Sequence, residues 1–446
     1  MKILFVSLGC DKNLVDSEEM LGALAAHGHS FTDDEEEAEA AVVNTCCFIG
    51  DAKMESIENI LSLAERRKSG QYKALIVTGC LAQRYKDEIL REIPEVDAVI
   101  GTTAEEHLIR ALEEALGEQE EGKLYTEDLE GRTGTVYPRV ITTGGYYSYL
   151  KIAEGCDKCC TYCVIPSVRG KYRSRPMEEL IREAQTLAQS GVRELILVAQ
   201  ETTLYGVDLY GEKKLPELLR ELALVEGIAW IRILYCYPEE ITPELVRTIR
   251  DTPKVLHYLD IPVQHASDDI LRKMGRHTNR RELEEMIAFV RREIPDICLR
   301  TTLISGFPGE TIADHEILED FVRKMRFDRL GVFPYSREEG TPAAGMKPQV
   351  PARLKKKRQK DLMLIQQEIA FEQAEDMKGR VLEAMVEGNI VGEDAYTART
   401  YKDAPGVDGL LFIETKRDLM TGDLVRVRVT GSQDYDLIGE IYESAE

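Results

Sequence analysis

The ten cysteines are the residues of this chain whose types and spacing are best suited to chemistry. Their positions are Cys10, Cys46, Cys47, Cys80, Cys156, Cys159, Cys160, Cys163, Cys236 and Cys298. Ten thiols in 446 residues are too few for a disulfide scaffold, yet four of them fall within eight residues and four others within the first 80. Clustered thiols in a reducing compartment indicate metal or redox chemistry.

The cysteines within residues 156–163 form a compact group that contains the pattern C-x3-C-x2-C. Thiolates at Cys156, Cys160 and Cys163 can wrap three corners of a [4Fe–4S] cluster and leave the fourth iron open to a small chelating ligand. The same segment also contains two adjacent CxxC pairs, which are typical of a structural zinc site with four thiolates. Zinc pairs are normally separated by a longer loop, and the neighbours Cys159 and Cys160 fit poorly as two corners of one tetrahedron. The spacing therefore favours the cluster, with zinc as the alternative.

Three cysteines of the first 80 residues form a dispersed group, in which each cysteine follows a predicted strand. Cys10, Cys46 and Cys80 come at or just after the ends of the strand-like runs MKILFVSLG, EAAVVNTC and KALIVTGC. Amphipathic helical stretches alternate with these runs, which is typical of parallel βαβ units. Because the carboxyl ends of parallel strands share one edge, we expect the three thiols to converge there. The alternative is three buried core cysteines, which are common.

Composition and charge restrict the function classes. The chain has 57 Lys and Arg against 80 Asp and Glu, a net charge of −23, with 43% hydrophobic and 31% charged residues. This composition predicts a folded protein and argues against non-specific binding to nucleic acid. No stretch has the length of uninterrupted apolar sequence that a membrane span needs, and the first residues indicate a strand, not a signal peptide. We expect a cytoplasmic protein without membrane association.

The pattern of elements predicts an α/β fold in three parts. Residues 1–116 form a parallel αβ sheet domain, and the polar, glycine-rich residues 117–141 form a linker. Residues 142–372 contain six strand candidates separated by helices, a partial TIM-like barrel shorter than eight units. Residues 375–446 contain short alternating strands that predict a small β-barrel. The basic helical stretch over 353–360 is interpreted as a solvated face.

Several motifs resemble those of radical S-adenosylmethionine (SAM) methylthiotransferases. The segment EGCDKCCTYCVIP resembles the cluster loop of radical SAM enzymes. The segments SLGCDKNLVDSE, VNTCCFI, VTGCLAQRY, IPVQHASDDILRKMGR and LISGFPGET are similar to motifs of the methylthiotransferases. The whole chain is similar to the three-part plan of that family, which ends in a TRAM β-barrel. Two segments are similar to the branch that modifies an aspartate of small-subunit ribosomal protein S-twelve: the tripeptide Asp11-Lys12-Asn13 and the C-terminal segment TGDLVRVRVTGSQDYDLIGE. The tRNA-modifying branch usually has Gln-Met-Asn in place of that tripeptide.

The resemblance implies two [4Fe–4S] clusters. Cys156, Cys160 and Cys163 would hold the cluster that binds SAM, and an auxiliary cluster that carries the sulfur would be held by Cys10, Cys46 and Cys80. One SAM would yield the radical that abstracts hydrogen from the aspartate β-carbon, and a second would methylate the sulfur. The resemblance also implies a reductant such as flavodoxin or ferredoxin, and we expect a monomer. No catalytic residue is assigned beyond the cluster ligands.

The SAM-binding residues follow from the same resemblance. They are Tyr162, Gln200, Glu201, Thr202, Gly306 and Gly309. Tyr162 either lies against the adenine or packs in the core, and the two glycines either approach the SAM ribose or form a plain turn. Gln264 and His265 end the fourth strand of the partial barrel, and a histidine there is more often structural than a ligand.

The remaining cysteines and the basic residues after the loop have less specific interpretations. Cys47 and Cys159 are expected to be spectators beside true ligands, and Cys236 and Cys298 to be core residues. The cations after the cluster loop either offset the charge of a substrate or cluster or are solvated; they are Arg169, Lys171 and Arg175.

Three functions are compatible with these motifs. The first is methylthiolation of the ribosomal protein, the second is methylthiolation of a tRNA adenosine, and the third is a nucleic-acid-binding module with a structural or redox-sensing cluster. Residues 378–446 contain eight Lys and Arg against fourteen Asp and Glu. An RNA-binding barrel should be basic, whereas an acidic one suits a basic ribosomal protein. The charge therefore favours the first function and makes tRNA an unexpected partner.

Overall fold

The structure is a computed structural model that describes residues 1–117, 122–129 and 138–443, so the predicted linker lies partly outside the described residues. It consists of an N-terminal parallel sheet, an open parallel half-barrel and a closed C-terminal β-barrel. This architecture confirms the predicted fold class. Among the described helices, none has both the length and the apolar character needed to cross a bilayer.

The first sheet has six parallel strands in the order β2-β1-β3-β4-β5-β6. Its strands are β1 Lys2–Ser7, β2 Ser30–Thr32, β3 Ala40–Thr45, β4 Ala74–Gly79, β5 Ala98–Ile100 and β6 Lys123–Tyr125. Its helices are α1 Asp11–Ala26, α2 Gly50–Lys68, α3 Cys80–Tyr85, α4 Asp87–Glu92 and α5 Leu108–Ala115, with a 3₁₀ turn over Glu105–His107. Every residue of β3 and β4 is buried, because helices cover both faces of the sheet.

Two parts of this domain differ from the sequence expectation. The helical spacing predicts a helix from Asp16, but α1 begins at Asp11. The polar residues Lys12, Asn13 and Asp16 of its first turns are buried, because the second domain packs over them, and they interrupt the apolar periodicity. Within the predicted linker, β6 pairs in parallel with β5 as an edge strand of the sheet.

The second sheet is an open, parallel half-barrel with the strand order β14-β13-β12-β11-β10-β7. Its strands are β7 Tyr147–Lys151, β10 Glu194–Val198, β11 Trp230–Ile233, β12 Val255–Asp260, β13 Cys298–Ser305 and β14 Arg329–Pro334, and a separate antiparallel pair is formed by β8 Ala153–Glu154 and β9 Arg173–Ser174. The helices are α6 Ile165–Arg169, α7 Met177–Gln189, α8 Val207–Tyr210, α9 Leu215–Ala223, α10 Pro243–Asp251, α11 Asp268–Met274, α12 Arg280–Glu293, α13 Ile312–Met325, α14 Pro342–Gly345 and α15 Ala352–Glu375, with a 3₁₀ turn over Pro238–Glu240. All six strand candidates of the sequence are present.

The C-terminal domain is a closed five-stranded barrel with the order β15-β16-β17-β19-β18. Its strands are β15 Val381–Asn389, β16 Ala395–Thr400, β17 Leu411–Glu414, β18 Leu424–Gln433 and β19 Asp436–Ile441. Met385 and Ala404 of this domain share an apolar cluster with Val198, Trp230 and Tyr258 of the half-barrel. The C-terminal barrel therefore covers part of the inner face that the open half-barrel would otherwise expose.

A buried ion network fixes the C-terminal barrel against the half-barrel. The Glu194 carboxylate accepts hydrogen bonds from Arg232 Nε at 2.7 Å and from Arg399 Nη2 at 2.8 Å. All three side chains are at most 1% exposed. Although burial opposes ionisation, the two guanidinium groups hold the pKa of Glu194 below its ordinary value. The Glu194 carboxylate thus joins cations from two domains, and Glu387 of the C-terminal barrel gives Arg399 a second counter-charge.

Replacing this carboxylate should loosen the C-terminal domain. We expect Glu194→Gln to destabilise the protein by about 3–5 kcal/mol, because it leaves the buried Arg232 guanidinium without its counter-charge and removes one of the two carboxylates that pair with Arg399. Thermal unfolding and limited proteolysis, with early release of the barrel, measure the effect. The matched control is Glu285→Gln, which removes an exposed pair with Arg281 at 3.8 Å and should cost less than about 1 kcal/mol. Equal effects of the two substitutions would contradict the expectation.

Candidate active site between two cysteine groups

The dispersed cysteines meet at the carboxyl edge of the first sheet. Cys10 precedes α1, Cys46 follows β3, and Cys80 begins α3 directly after β4. The three thiols are close enough for their charges to interact. The sequence expectation that they converge is therefore met by the geometry.

Two glycines permit this convergence. Gly9 has φ +96°, and a Cβ there would lie 2.7 Å from Cys46 Cβ. Gly79 has φ +90°, and a Cβ there would lie 2.2 Å from Asn44 Oδ1. Both positions require the left-handed region and the lack of a side chain, and each directly precedes a cysteine of the dispersed group.

The compact cysteines lie in the loop between β8 and β9. The loop is tied to the chain by Cys156 N–H, which donates to Gly170 O at 3.1 Å, and it turns at Cys163 N–H, which donates to Cys160 O at 3.0 Å. Burial raises the pKa of the Cys156 thiol to about 11 and that of Cys163 to about 12. None of the ten cysteines, all of which are described, forms a disulfide. Metal binding at this loop therefore has to release protons from the thiols.

The spectator cysteines differ in their surroundings. Cys159 is exposed and has φ +51°, a backbone conformation that Cys160, its neighbour in the compact group, does not share. Cys47 is buried beside Arg84, and burial raises the pKa of its thiol to about 11. Cys236 and Cys298 are fully buried, as expected of core residues, although Cys298 also donates to Lys402 O of the C-terminal domain at 3.4 Å.

Arg169 connects the two cysteine groups. It ends α6, six residues after Cys163, and its Nε lies 3.3 Å from Cys80 Sγ in the first domain. Its Nη1 pairs with Asp16 at 2.7 Å and with Glu154 at 3.2 Å, and the side chain is 2% exposed. The solvated alternative for Arg169 is therefore wrong. Its partners lie far away in sequence, so spacing alone could not identify them.

The strand end after β11 lies between the two groups. The hydroxyl of Tyr237 is 2.6 Å from Cys160 Sγ, and the Arg276 guanidinium lies 3.8 Å from the Tyr237 ring centroid. Tyr235, two residues earlier, has its hydroxyl within electrostatic reach of Cys10. Neither tyrosine was identified from the sequence, although both lie just after a strand of the half-barrel, where such folds place chemistry.

Three predicted SAM-binding residues lie together after β10. Gln200 Nε2 donates to Glu154 Oε1 at 2.7 Å, and the buried Oε1 of Gln200 has no hydrogen-bond partner among the described residues. One carboxylate oxygen of Glu201 accepts from Thr203 N at 3.0 Å, whereas the other is buried and has no described partner. Thr202 Oγ1 donates to Leu234 O at 2.6 Å. Unpartnered buried acceptors are what a site for a polar cofactor requires.

The remaining predicted SAM contacts are Tyr162, in the cysteine loop, and the glycines Gly306 and Gly309. Tyr162 meets Phe307 edge to face at 6.4 Å between ring centroids, so it has a packing role in this structure. Gly306 N–H donates to Glu310 Oε2 at 2.6 Å, and Gly309 N–H donates to Pro348 O at 2.8 Å. Both glycines have positive φ, at +72° and +80°.

Glu310 and Arg358 hold this glycine loop from behind. Arg358 Nη1 donates to Glu310 Oε1 at 2.8 Å, and the arginine is 3% exposed. The interpretation of the whole stretch over 353–360 as a solvated face is thus wrong for Arg358. His265 is fully buried, its Nδ1 accepts from Ser267 N at 2.9 Å, and its Nε2 lies 3.6 Å from Glu310 Oε2, which is a structural role as expected.

Family comparisons cover all three parts of the chain. The model described as Uncharacterized protein family UPF0004 matches residues 2–101, the Radical SAM superfamily model matches residues 150–321, and the TRAM domain model matches residues 379–441. These matches confirm the resemblance inferred from the cysteine motifs.

Curated relatives match over the full chain. A protein of Lachnoclostridium phytofermentans is 61% identical over 98% of this chain and 99% of its own length. Proteins of Geobacter sulfurreducens and Clostridioides difficile are 49% and 46% identical, over 99% and 100% of this chain and 98% and 100% of their own lengths. All three are named ribosomal protein uS12 methylthiotransferase RimO.

Solved structures share the fold. The radical SAM methyltransferase TsrM from Kitasatospora setae, with cobalamin and a [4Fe–4S] cluster bound, has a TM-score of 0.56 at 15% identity and covers 77% of this chain and 76% of its own. The cobalamin-dependent radical SAM enzyme OxsB has a TM-score of 0.50 at 15% identity and covers 82% of this chain and 56% of its own.

Glu201 should give the metal-free and SAM-free protein a specific pH dependence. Burial raises the pKa of Glu201 to about 7 from an ordinary 4.5. A carboxyl group with a raised pKa favours folding while it is protonated, so its contribution is complete below about pH 4.5 and is lost as the pH rises towards 7. Wild type and Glu201→Gln should have similar thermal midpoints near pH 4.5. Above pH 7 the variant should be more stable, by up to about 3 kcal/mol.

Thermal melting of both proteins across this pH range measures the difference. The matched control is Glu285→Gln, an exposed glutamate whose replacement should change the stability by less than about 1 kcal/mol at every pH. A constant difference for Glu201→Gln as well would mean that folding does not raise the pKa of Glu201.

Proposed function

Because this chain belongs to the RimO family of ribosomal protein uS12 methylthiotransferases, we propose that it attaches a methylthio group to the β-carbon of an aspartate in uS12, the small-subunit ribosomal protein S-twelve. It is a radical SAM enzyme, a class that uses SAM with a [4Fe–4S] cluster. The observation that carries the proposal is the position of two separate groups of three cysteines at one domain interface. Arg169, which follows the compact group, contacts Cys80 of the dispersed group, and the segment Tyr235–Tyr237 approaches both groups. A β-carbon C–H is too weakly acidic for a side-chain base near neutral pH, so the reaction needs a radical route.

We assign the SAM-binding cluster to Cys156, Cys160 and Cys163. Three thiols in one loop suit a [4Fe–4S] cluster with one open iron, and no disulfide competes for them. The hydroxyl of Tyr237 beside Cys160 Sγ can donate a hydrogen bond that favours the thiolate over the thiol. Cys159 is exposed on the neighbouring position and is not assigned as a ligand.

We assign a second, auxiliary [4Fe–4S] cluster to Cys10, Cys46 and Cys80. Gly9 and Gly79 give the backbone close approach that brings these thiols together. Arg169 supports this assignment, because a guanidinium beside Cys80 Sγ offsets the negative charge of thiolate ligands. When bound, the two clusters and SAM supply the radical and the methylated sulfur that the reaction requires.

The proposed SAM-binding residues are those named from the sequence. Gln200 and Glu201 each offer a buried acceptor with no described partner to the polar groups of SAM. Thr202 orients the strand end that presents them through its hydrogen bond to Leu234 O. The remaining proposed contacts are Tyr162, Gly306 and Gly309. For Tyr162 this role requires adenine to lie against the part of the ring that Phe307 leaves uncovered.

Each part of the chain has its own proposed role. We propose that residues 1–116 hold the auxiliary cluster, that 142–372 form the radical SAM core, that 117–141 connect them, and that 375–446 form the TRAM domain. The protein is proposed to act as a monomer with an external one-electron reductant such as flavodoxin or ferredoxin. The names of the full-length relatives, which are ribosomal protein methylthiotransferases, argue against the tRNA-modifying and non-catalytic interpretations.

Neighbouring cysteines provide a matched test of the ligand assignment. We expect Cys46→Ser to lose up to half of the reconstituted iron, since it removes a ligand of one of two clusters, whereas Cys47→Ser should keep it. Likewise Cys160→Ser should lose iron and SAM cleavage, whereas Cys159→Ser should keep both. Anaerobic iron and sulfide analysis, with deoxyadenosine measured by chromatography, gives the outcome. Iron loss in Cys47→Ser or Cys159→Ser would reassign the ligands.

Substrate choice tests the function itself. We expect the anaerobic enzyme with SAM and a reductant to modify uS12 and not tRNA, as read by mass spectrometry of both. Association with uS12 should slow as salt rises, because exposed opposite charges are screened over about 10 Å at ~0.1 M ionic strength. A higher affinity for adenosine-containing tRNA, or salt-independent association, would contradict this.

The tip between β18 and β19 offers a charge variant for that test. Asp434 is exposed and has φ +53°, which asparagine tolerates, so Asp434→Asn removes one charge without disturbing the turn. Asp436 is unsuitable, because its Oδ1 accepts from Leu410 N at 2.8 Å and the residue is structural. We expect Asp434→Asn to slow association slightly and to leave SAM cleavage unchanged.

A further inference from the structure

Lys12 places an ammonium group at the junction of the two cysteine groups without a polar partner. Its Nζ lies 3.7 Å from the centroid of the Tyr235 ring, and the residue is 6% exposed. Among residues 1–117, 122–129 and 138–443, no acceptor forms a hydrogen bond or ion pair with this ammonium group. A buried cation is costly unless an anion or several acceptors compensate it, and one aromatic face compensates only part of that cost.

The carboxylates nearest Lys12 have other partners, although the buried Oδ1 of Asp260 has no hydrogen bond among the described residues. Asp11 Oδ2 accepts from the Tyr235 hydroxyl at 3.1 Å. Asp260 Oδ2 accepts from Tyr235 N at 3.0 Å, and its Oδ1 lies 3.5 Å from Arg300 Nη1. Asp260 is close enough to feel the charge of Lys12 but does not form an ion pair with it. The ammonium therefore retains its capacity to donate to an anion that enters the junction.

The position of this ammonium suits a substrate side chain. Lys12 follows Cys10 by two residues, and Tyr235 precedes Tyr237, whose hydroxyl touches Cys160 Sγ. A group bound at Lys12 thus lies between the dispersed and the compact cysteines. A side chain that must meet chemistry from both groups in turn has to be held in this space.

We propose that Lys12 binds the β-carboxylate of the target aspartate and is a specificity-determining residue of the enzyme. This inference rests on the proposed function, because it assumes an aspartate substrate. The ammonium donates to the carboxylate, which fixes the side chain and leaves its β-carbon facing the space between the two cysteine groups. An asparagine at the target position lacks the negative charge and gains much less from the contact.

The experiment is a double-mutant cycle on binding. The holoenzyme is kept anaerobic and without reductant, and the probe is a fluorescent peptide of the uS12 target loop with either the native aspartate or asparagine. Wild type should prefer the aspartate peptide by about tenfold or more, as for a hydrogen bond between charged groups. Lys12→Met should bind the aspartate peptide as weakly as the asparagine peptide, with affinity for the latter unchanged.

Lys53→Met is the matched control, because Lys53 Nζ lies over the Tyr85 ring at 5.8 Å, away from the junction. It should keep the full preference for aspartate. Lys12→Gln, which keeps a polar head without charge, should lose the preference as Lys12→Met does. Unchanged binding of the asparagine peptide and unchanged iron content establish that the variants are folded.

Three outcomes would overturn the proposal. They are an equal loss of affinity for both peptides, retention of the aspartate preference in Lys12→Met and Lys12→Gln, and absence of any preference in wild type. Failure of the proposed function gives a different result. In that case the wild type, with SAM and reductant, would leave the uS12 aspartate unmodified, whatever the Lys12 variants do to peptide binding. A wild type that modifies uS12, with Lys12 variants that discriminate normally, would refute only the role of Lys12.

Discussion

The geometry of this enzyme depends on the ion pairs that the buried Arg169 guanidinium forms across the domain interface. It comes from the half-barrel, immediately after the compact cysteine loop, and ends among Asp16 and Cys80 of the first domain. Removing such a cation from water is costly, and the carboxylates Asp16 and Glu154, one on each side of the interface, offset much of that cost. The ion pairs form only when the two domains are docked in one orientation. That orientation sets the distance between the two groups of thiols.

The C-terminal barrel extends the same arrangement into the interior of the half-barrel. Asp408 accepts from the Tyr258 hydroxyl at 2.8 Å and lies 3.5 Å from Arg300 Nε, whose other side faces Asp260. Acidic and basic groups of the C-terminal barrel and the half-barrel therefore alternate along the inner space. Because these ion-pair partners come from different elements and from two domains, this part of the site is held by the assembly of the domains rather than by any one of them.

Sequence patterns predicted the elements better than their contacts. The apolar strand runs and the cysteines at their ends identified the sheets and the site edge, because period and strand-end position are local properties. The three-residue edge strands β2 and β6 were missed, since they are too short to show a period. Arg169, Arg358 and Lys12 could not be placed, because their burial depends on residues distant in sequence.

During synthesis, the half-barrel is made before the C-terminal barrel that covers part of its inner face. Tyr258 and Trp230 line the inner face, whereas Met385 and Ala404, which close it, are translated some 150 residues later. At roughly 5–20 residues per second the ribosome needs about 8 to 30 s for that interval. During this time the nascent half-barrel lacks the part of its apolar cover that the last domain supplies.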